Sequence, residues 1–365
     1  MIIIHEYGEP SHYLGAIYEN EFFDKKVKFY EFSTLRLILR SIKRKRYDLA
    51  RKAVKDFFLL SFAFLFPTIL NNKYVIIGMA PLDYRILFFN RILKHAHVTY
   101  HSSWLIWDGS KYPKGNKYIN KYLKKKWDYF LNNIANSFAV VTETVKEQLI
   151  KHMGVHHQKI EVVYHSYDEE VFFARDESET QKKTINVIYV GRFIPNKGIS
   201  NILELAKENK NINFYFIGKG SEDLKIKDAE NKCKNIFNIG YLSDKEKLAY
   251  YYNQADFILL PSKRTKDWEE LFGMVIIEAM ACGCIPICSD HNGPKIILNK
   301  TSWHKNLIKE DDYTVEANKL LQRYTNDLVL FNEDKRMAIE TAAAYGKKTI
   351  AAIWHSVFIK AGRKK

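Results

Sequence analysis

Two glutamates separated by seven residues are the first candidates for chemistry in this sequence, within the stretch 268–288. Glu270 precedes a Phe272-Gly273 turn and Glu278 lies in the apolar run after it, so the spacing predicts a loop carboxylate and a helical one. A helix that begins after the turn would offer free N-terminal amides, which bind anions. Together these groups can hold a sugar hydroxyl and a diphosphate. The alternative, a surface loop leading into a buried helix, leaves Glu278 buried without a partner.

A basic loop is predicted at the end of an upstream strand. Gly191 and Arg192 follow the strand 187–190, and Lys197 precedes the next helical segment. Arg192 and Lys197 are therefore expected at the carboxyl edge of a parallel sheet, where ligands of such folds bind. A guanidinium fork and a mobile ammonium suit the several oxygens of a diphosphate. Taken alone, this stretch is better explained as a solvated turn with two surface cations.

In order and spacing, the two stretches resemble the donor-binding half of the retaining GT-B glycosyltransferases of glycosyltransferase family 4. The glutamate pair, with Phe-Gly inside it and Ala-Met-Ala-Cys-Gly after it, is similar to the donor-site signature of that family. Gly-Arg-x-x-x-x-Lys-Gly is similar to its diphosphate-binding segment. Further matches occur at 216–220, 240–243 and 255–262, so the resemblance covers about residues 186–298.

The resemblance implies roles for the matched residues. Glu270 would hold the donor sugar and Glu278 the ribose hydroxyls. Arg192 and Lys197 would stabilise the negative charge that grows on the departing diphosphate. The remaining expected donor-binding residues are Phe272, Gly273, Met274, Gly191, Gly218 and Tyr241, the last beside the nucleobase.

Two departures from the family pattern concern the sugar pocket. Asn292-Gly293-Pro294-Lys295 stands where relatives often have Gly-Gly and a glutamate three residues later. Extra residues, 263–269, also separate Ser262 from Glu270. Both departures bear on which sugar is accepted more than on the reaction.

In the first half of the chain the clearest similarity is His101, at the end of a predicted strand. It resembles the family residue that approaches the donor sugar from across the cleft, and the resemblance makes it a fourth candidate catalytic residue. A capping or core histidine is an equal alternative. Farther along, 165–168 stands where relatives tend to have Asn-Gly-x-Asp, and only Asp168 matches.

Short β-rich runs alternate with helical segments, which predicts an α/β protein with two doubly wound, Rossmann-like domains. The resemblance makes this the GT-B fold, with the domains facing across a cleft. We expect an acceptor-binding domain at 1–173, a charged linker at 174–183, a donor-binding domain at 184–345, and a helix at about 346–365 that packs back on the first domain. The predicted strands are 2–5, 27–32, 74–78, 97–101, 138–142 and 160–165, then 187–190, 213–217, 236–239, 257–260 and 285–289.

The reaction implied is retaining transfer of a hexose-type sugar from a UDP- or GDP-sugar to a glycan or lipid-linked acceptor. Cell-surface polysaccharide, lipopolysaccharide or glycolipid synthesis is the expected setting. Because cations and helix amides would stabilise the leaving diphosphate, no metal or other cofactor is expected. The Asp-x-Asp metal motif of the other common glycosyltransferase fold is missing from the sequence. A GT-B enzyme that is not a transferase, such as an epimerase, is an alternative, although such enzymes lack this glutamate signature.

Composition indicates a two-domain protein of the cytosol. The 365 residues, 47% of them hydrophobic, suffice for two ordinary cores. The four cysteines, Cys233, Cys282, Cys284 and Cys288, are expected to be reduced and buried. No secretory signal is evident in the first residues, so a cytoplasmic location is expected.

The positive charge is concentrated in the first half. Residues 25–126 contain 23 Lys and Arg against five acidic residues, within a net charge of +15. A basic stretch, 40–55, directly precedes the apolar run 57–70, which at 14 residues is shorter than the roughly 20 that span a bilayer. This pattern predicts peripheral docking on an anionic membrane, and a solvated helix packed on its own sheet is the alternative. Nucleic-acid binding would also explain the charge, but no nucleic-acid module signature is present, so no such partner is expected.

Overall fold

The computed structural model describes residues 1–6, 10–20, 27–110, 112, 117–175, 184–266, 268–298 and 302–362. The strands are β1 (Ile2–His5), β2 (Lys28–Glu31), β3 (Tyr74–Gly78), β4 (His97–Ser102), β5 (Ala135–Val140), β6 (Ile160–Val162), β7 (Ile185–Arg192), β8 (Ile212–Lys219), β9 (Ile236–Gly240), β10 (Phe257–Leu260), β11 (Ile285–Ser289) and β12 (Leu307–Ile308). The α-helices are α1 (Ser11–Tyr18), α2 (Thr34–Lys43), α3 (Tyr47–Leu65), α4 (Ile86–Ile92), α5 (Lys117–Tyr129), α6 (Glu143–Met153), α7 (Ile199–Glu208), α8 (Asp223–Lys232), α9 (Lys245–Gln254), α10 (Met274–Ala281), α11 (Asn292–Leu298), α12 (Tyr313–Asn326), α13 (Leu328–Ala343) and α14 (Lys347–Gly362).

Short helical turns connect several of these elements. The 3-10 turns are Pro67–Leu70, His157–Lys159, Pro195–Lys197, Ser302–Asn306 and Glu310–Asp312, and Phe130–Ile134 is a π-helical turn. The chain divides into two compact units. Unit 1 is Met1–His165 with Lys348–Lys365, and unit 2 is Ser166–Lys347.

Unit 1 is built on a parallel sheet with the strand order β2-β1-β3-β4-β5-β6. Side chains alternate between the two faces of each strand, as strand geometry requires. Ile3 and Ile76 pack with Tyr13 of α1 and Trp354 of α14. The neighbouring positions Ile4, Val75 and Ile77 pack instead in the cluster that contains residues of α3 to α6. Helices thus cover both faces of the sheet, as parallel sheets require.

Unit 2 contains a second parallel sheet, in the order β12-β11-β10-β7-β8-β9. The four residues of β10 are all buried, which explains their uninterrupted apolar sequence. Because every strand pair is parallel, all strand carboxyl ends lie at one edge, and the loops that follow β7, β8, β9, β10 and β11 start there. The predicted α/β class with two doubly wound sheets is confirmed.

Most predicted strands are present, and the differences have local causes. The strand predicted at 138–142 is β5, which ends at Val140 because the Thr142 hydroxyl caps α6 by accepting a hydrogen bond from Val145 N at 3.1 Å. The spacing of apolar residues at 82–93 predicts a helix there, but the helix begins only at Ile86, since Leu82 is left-handed (φ +60°). The two-residue strand β12 is too short to show a pattern. Of the predicted linker, residues 176–183 lie outside the described residues.

The apolar run at 57–70 is divided between two elements. It forms the second half of α3, and the 3-10 turn that begins at Pro67 follows. No helix in the described ranges is long and apolar enough to cross a bilayer.

Candidate functional site

The predicted donor loops meet at the carboxyl edge of the sheet in unit 2. Arg192, the last residue of β7, lies opposite Lys219 of β8, and Gly191 lies opposite Gly218. Arg192 is exposed. Tyr241 directly follows β9 and is 59% exposed, with Lys219 Nζ 4.0 Å from the centre of its ring. The sheet therefore collects two cations and an accessible aromatic ring at one edge.

Close backbone contacts explain two of the glycines at this edge. A Cβ on Gly218 would lie 1.8 Å from the carbonyl oxygen of Gly191. Gly198, which precedes α7, has φ +68°, and a Cβ there would lie 2.0 Å from the carbonyl oxygen of Pro261. Neither position can accept a side chain without a backbone shift. The ends of β7 and β8, and the loops after β7 and β10, are consequently held against one another.

Lys197 and Glu270 form an ion pair, in which Lys197 Nζ contacts Glu270 Oε2. The same carboxylate oxygen accepts a hydrogen bond from the Ser262 hydroxyl at 3.3 Å. Lys197 Nζ also lies 4.7 Å from the centre of the Trp268 ring, a cation–π contact. The two charged side chains are 12% and 15% exposed, so the pair is largely removed from solvent. Glu270 and Lys197 thus contact each other, although the family resemblance implies that Glu270 holds the sugar and Lys197 the diphosphate.

His291 holds the main chain at Glu270 and was not predicted. Its Nδ1 accepts a hydrogen bond from Glu270 N at 3.1 Å, and its Nε2 lies 3.0 Å from Glu310 Oε1. The ring is fully buried, and burial, followed by the charge of Arg264, lowers its pKa. A neutral ring that accepts at Nδ1 has its proton on Nε2. The signal that sequence reasoning could have used is a histidine two residues after a predicted strand.

The extra residues at 263–269 are anchored through Arg264. Its guanidinium donates to the Asp290 carbonyl at 2.6 Å and to Glu310 Oε1 at 2.9 Å, and it lies 3.3 Å from Glu269 Oε2. Asn292 Nδ2 donates to Glu269 Oε1 at 2.6 Å. The two departures from the family pattern therefore contact each other, beside the Glu270 carboxylate.

Helix α10 begins as predicted, directly after the Phe-Gly turn. Gly273 adopts a left-handed conformation (φ +89°) that favours glycine, Phe272 is buried, and Met274 is the first helical residue. Glu278 lies one turn farther along, and Tyr252 Oη donates to its Oε2 at 3.5 Å. Although part of its surface is exposed, burial raises the pKa of Glu278 to about 7, against the opposing charge of Lys245. Within the protein, Glu278 thus has one long hydrogen bond and a marked desolvation cost.

His101 lies in unit 1, as the fifth residue of β4, and it is only 5% exposed. Its ring centre lies 4.4 Å from that of Tyr13 and 5.7 Å from that of His12, and it stacks on Trp354. Burial, and then the neighbouring histidines, lower its pKa well below the ordinary value, so the ring is neutral. With His5 and His12, it lines a cavity of about 240 Å³. His101 is therefore both a packed histidine and part of a cavity wall.

Two negative observations concern metals and disulfides. In the part of the chain that the structure describes, no group of three or more His, Cys, Asp or Glu side chains is arranged to hold a metal ion. The four cysteines are free and buried.

Two protein-family profiles match this chain. The profile described as "Glycosyl transferases group 1" matches residues 171–344, and the profile described as "Glycosyltransferase Family 4" matches residues 85–171. The first range contains the ion pair and the second contains His101.

Similar curated proteins come from bacteria. An "Uncharacterized 41.2 kDa protein in cps region" of Klebsiella pneumoniae is 27% identical over 238 residues, which is 62% of this chain and 59% of that protein. An "Alpha-galactosylglucosyldiacylglycerol synthase" of Streptococcus pneumoniae is 28% identical over 206 residues, 53% of this chain and 50% of that protein. The chain thus spans between half and three fifths of the length of these relatives.

Solved structures share the fold. HepE of Anabaena, crystallised in complex with UDP, matches with a TM-score of 0.65 at 13% identity, over 96% of this chain and 97% of that chain. At such low identity the likeness concerns the fold alone.

Proposed function

Because the chain belongs to the GT-B glycosyltransferases of the family 4 type, we propose that it transfers a hexose-type sugar from a UDP- or GDP-sugar to an acceptor hydroxyl, with retention of the anomeric configuration. The observation that carries this proposal is the contact between Lys197 and Glu270, at the sheet edge where β7 ends in the exposed Arg192. A carboxylate suits the sugar hydroxyls, and the two cations suit a diphosphate whose negative charge grows as the glycosidic bond loosens.

The remaining donor contacts follow from the same edge of the sheet. The amides at the start of α10 would contact the phosphates, Glu278 the ribose, and the exposed Tyr241 the nucleobase. Arg192 and Lys197 would replace a metal ion in stabilising the leaving group, so the proposed reaction is metal-independent. Trp268, held 4.7 Å from Lys197 Nζ, would border the sugar. The contribution of His101 stays a prediction.

A glycan or lipid-linked acceptor in polysaccharide or glycolipid synthesis fits the names of the relatives, one of which is a diacylglycerol glycolipid synthase. The surface of α2 and α3 supports docking on an anionic membrane. The turn between these helices and the first half of α3 are rich in exposed Lys and Arg, and the second half of α3 exposes Phe58 (65%), Phe62 (48%) and Leu65 (66%). Exposed apolar side chains beside a basic face are typical of interfacial helices.

The reaction is tested by incubating the full chain with a panel of UDP- and GDP-sugars, with and without glycan and lipid acceptors. We expect one donor to raise the melting temperature by mass action and to be consumed faster when an acceptor is present. Nuclear magnetic resonance of the product would report the anomeric configuration. Donor consumption without any transfer, or binding of no nucleotide sugar, would contradict the proposal.

Membrane docking is tested by co-sedimentation with vesicles. Binding should be stronger to anionic than to neutral vesicles, and should weaken as salt shortens the Debye length from about 10 Å at 0.1 M to about 3 Å at 1 M. Replacing Lys43, Arg44, Lys45 and Arg46 with glutamate should abolish the preference for anionic lipid. Equal binding to both vesicle types would rule the docking surface out.

A further inference from the structure

A groove of about 450 Å³ lies in unit 1 between α2, α3 and α4. This volume is within the roughly 300–1,000 Å³ of small-molecule sites. Its walls are mainly apolar and are formed by Phe32, Leu35, Phe57, Leu60, Phe88 and Phe89. Leu35 is 65% exposed and Phe57 40% exposed, so the apolar wall extends to the surface.

One end of the groove is polar and rigid. Arg85 donates to Asp83 Oδ1 at 2.9 Å and to the Ser33 hydroxyl at 2.6 Å, and its Nη2 lies 3.3 Å from Glu6 Oε1. The guanidinium also lies 4.4 Å from the centre of the Phe32 ring. Because one guanidinium faces two carboxylates, this end does not select an anion. Carboxylate and serine oxygens accept hydrogen bonds from hydroxyl groups instead.

The loop that holds this polar end has an uncommon backbone conformation. Leu82, directly before Asp83, has φ +60°, which is costly for a bulky residue and persists only where the surroundings impose it. The conformation delays the start of α4 to Ile86, so Asp83 and Arg85 lie in a loop and can pair with each other.

The polar end adjoins the cavity that contains His101. Glu6 lines both the groove and the cavity of about 240 Å³, in which His101 and His12 form part of the wall. A ligand in the groove with its polar head at Glu6 would therefore direct that head toward the His101 cavity. The opposite end of the ligand would lie along α3, whose neighbouring surface exposes Phe58 and Phe62.

We propose that this groove binds the hydrocarbon chain of a lipid acceptor whose head has free hydroxyl groups. The apolar walls take the chain, the Glu6–Ser33–Arg85 cluster takes the head, and the basic surface of α2 and α3 brings the groove to the membrane in which such a lipid resides. This inference rests on the proposed glycosyltransferase function and narrows its acceptor to a hydroxylated amphiphile.

The test uses the full chain and a neutral fluorescent probe of apolar sites, N-phenyl-1-naphthylamine. Monolauroylglycerol, below its micellar concentration, should displace the probe, whereas glycerol should not. Shortening the acyl chain should weaken displacement by up to about fourfold per methylene, the value expected for burial of each CH₂. A chain-length effect of this kind indicates an apolar groove and not adsorption of the head.

Three tryptophan variants at consecutive positions of α3 locate the site. Leu60→Trp and Ser61→Trp fill the groove, so each should weaken displacement of the probe by monolauroylglycerol at least tenfold. Leu59→Trp, at a side chain that is 39% exposed and does not line the groove, is the matched control and should bind as the wild type does. Circular dichroism melting identifies any variant that fails to fold. If one groove variant fails to fold, the result with the other groove variant tests the proposal.

If monolauroylglycerol displaced the probe equally well from all three variants, or if glycerol displaced it, the proposed lipid groove would be overturned. Nucleotide-sugar turnover measured on the same preparations separates the two proposals. Turnover onto a soluble glycan without lipid displacement overturns the groove and leaves the transferase. Displacement that follows chain length and groove filling, without turnover of any donor, supports the groove and overturns the transferase.

Discussion

Replacing Glu278 with glutamine should change how stability depends on pH. Burial raises the pKa of Glu278 from 4.5 to about 7, so ionising this carboxyl in the folded protein costs about 3 kcal/mol more than in the unfolded chain. Since the folded-state pKa is raised, the stability contributed by the neutral carboxyl is complete below pH 4.5 and is lost as the pH rises through about 7. An uncharged glutamine does not suffer this loss.

The difference in unfolding free energy between Glu278→Gln and the wild type should therefore grow by about 3 kcal/mol between pH 4.5 and 7, then level off. Urea unfolding followed by circular dichroism, at half-unit pH intervals from 4 to 8.5, measures it. Glu316→Gln is the matched control, because Glu316 lies on α12 with its side chain 46% exposed, and its effect should stay within about 0.5 kcal/mol at every pH.

Donor binding should show the opposite pH dependence and become tighter as the pH rises. A carboxylate accepts hydrogen bonds from ribose hydroxyls most strongly when ionised, and with a pKa of about 7 the ionised fraction rises about tenfold between pH 6 and 8. Affinity of the wild type for its nucleotide sugar, measured by calorimetry, should rise by about that factor, and the variant should show a flat profile. A stability difference that does not change with pH, or one that shrinks as the pH rises, would refute the desolvation argument. A pH-independent donor affinity in the wild type would refute the ribose contact.

Three further outcomes are expected. Glu278→Ala should mainly weaken donor binding, while Glu270→Ala should mainly lower kcat, because the ribose is remote from the reacting bond and the sugar is not; equal losses of donor affinity, measured by calorimetry alongside kinetics, would contradict these roles. Arg192→Ala and Lys197→Ala should each lower kcat on the order of 10²-fold or more, and EDTA should have little effect; activity that EDTA abolishes and a divalent ion restores would show that the site needs a metal. Gly218→Ala should lower the melting temperature measurably, because its Cβ would lie 1.8 Å from a backbone oxygen; an unchanged melting temperature would mean that β7 and β8 separate at low cost.

Regular patterns made the architecture predictable. Strands such as β3 and β10 are short apolar runs between helical segments, and the structure places them at the predicted residues. The GT-B fold class, which the family resemblance implied, is confirmed by the two parallel sheets and by the likeness to HepE. Predictions failed where one side-chain hydrogen bond or one dihedral angle ended an element, as at Thr142 and Leu82. A single hydrogen bond or dihedral angle does not alter the spacing of apolar residues, so the sequence pattern does not show where such an element ends.

The candidate site was predictable only in part. The placement of Glu270 in a loop and Glu278 in a helix followed from their spacing around the Phe-Gly turn. Contacts between distant segments did not follow, because nothing near Lys197 in the sequence indicates that Glu270 faces it 73 residues later. His291 was missed for the same reason, since its role depends on a hydrogen bond with a loop 21 residues away.

Helix α14 determines when unit 1 can finish folding. Its Trp354 and Val357 cover the same face of the first sheet as Ile3 and Ile76, and Ala351 O accepts a hydrogen bond from Asn20 Nδ2 across 331 residues of chain. During synthesis the part of that face that α1 does not cover stays exposed until the whole of unit 2 has emerged, so unit 2 can complete its core first. Contacts of such long sequence separation form slowly and leave apolar surface exposed in the meantime. We therefore expect the chain to be most prone to aggregation before α14 has been made.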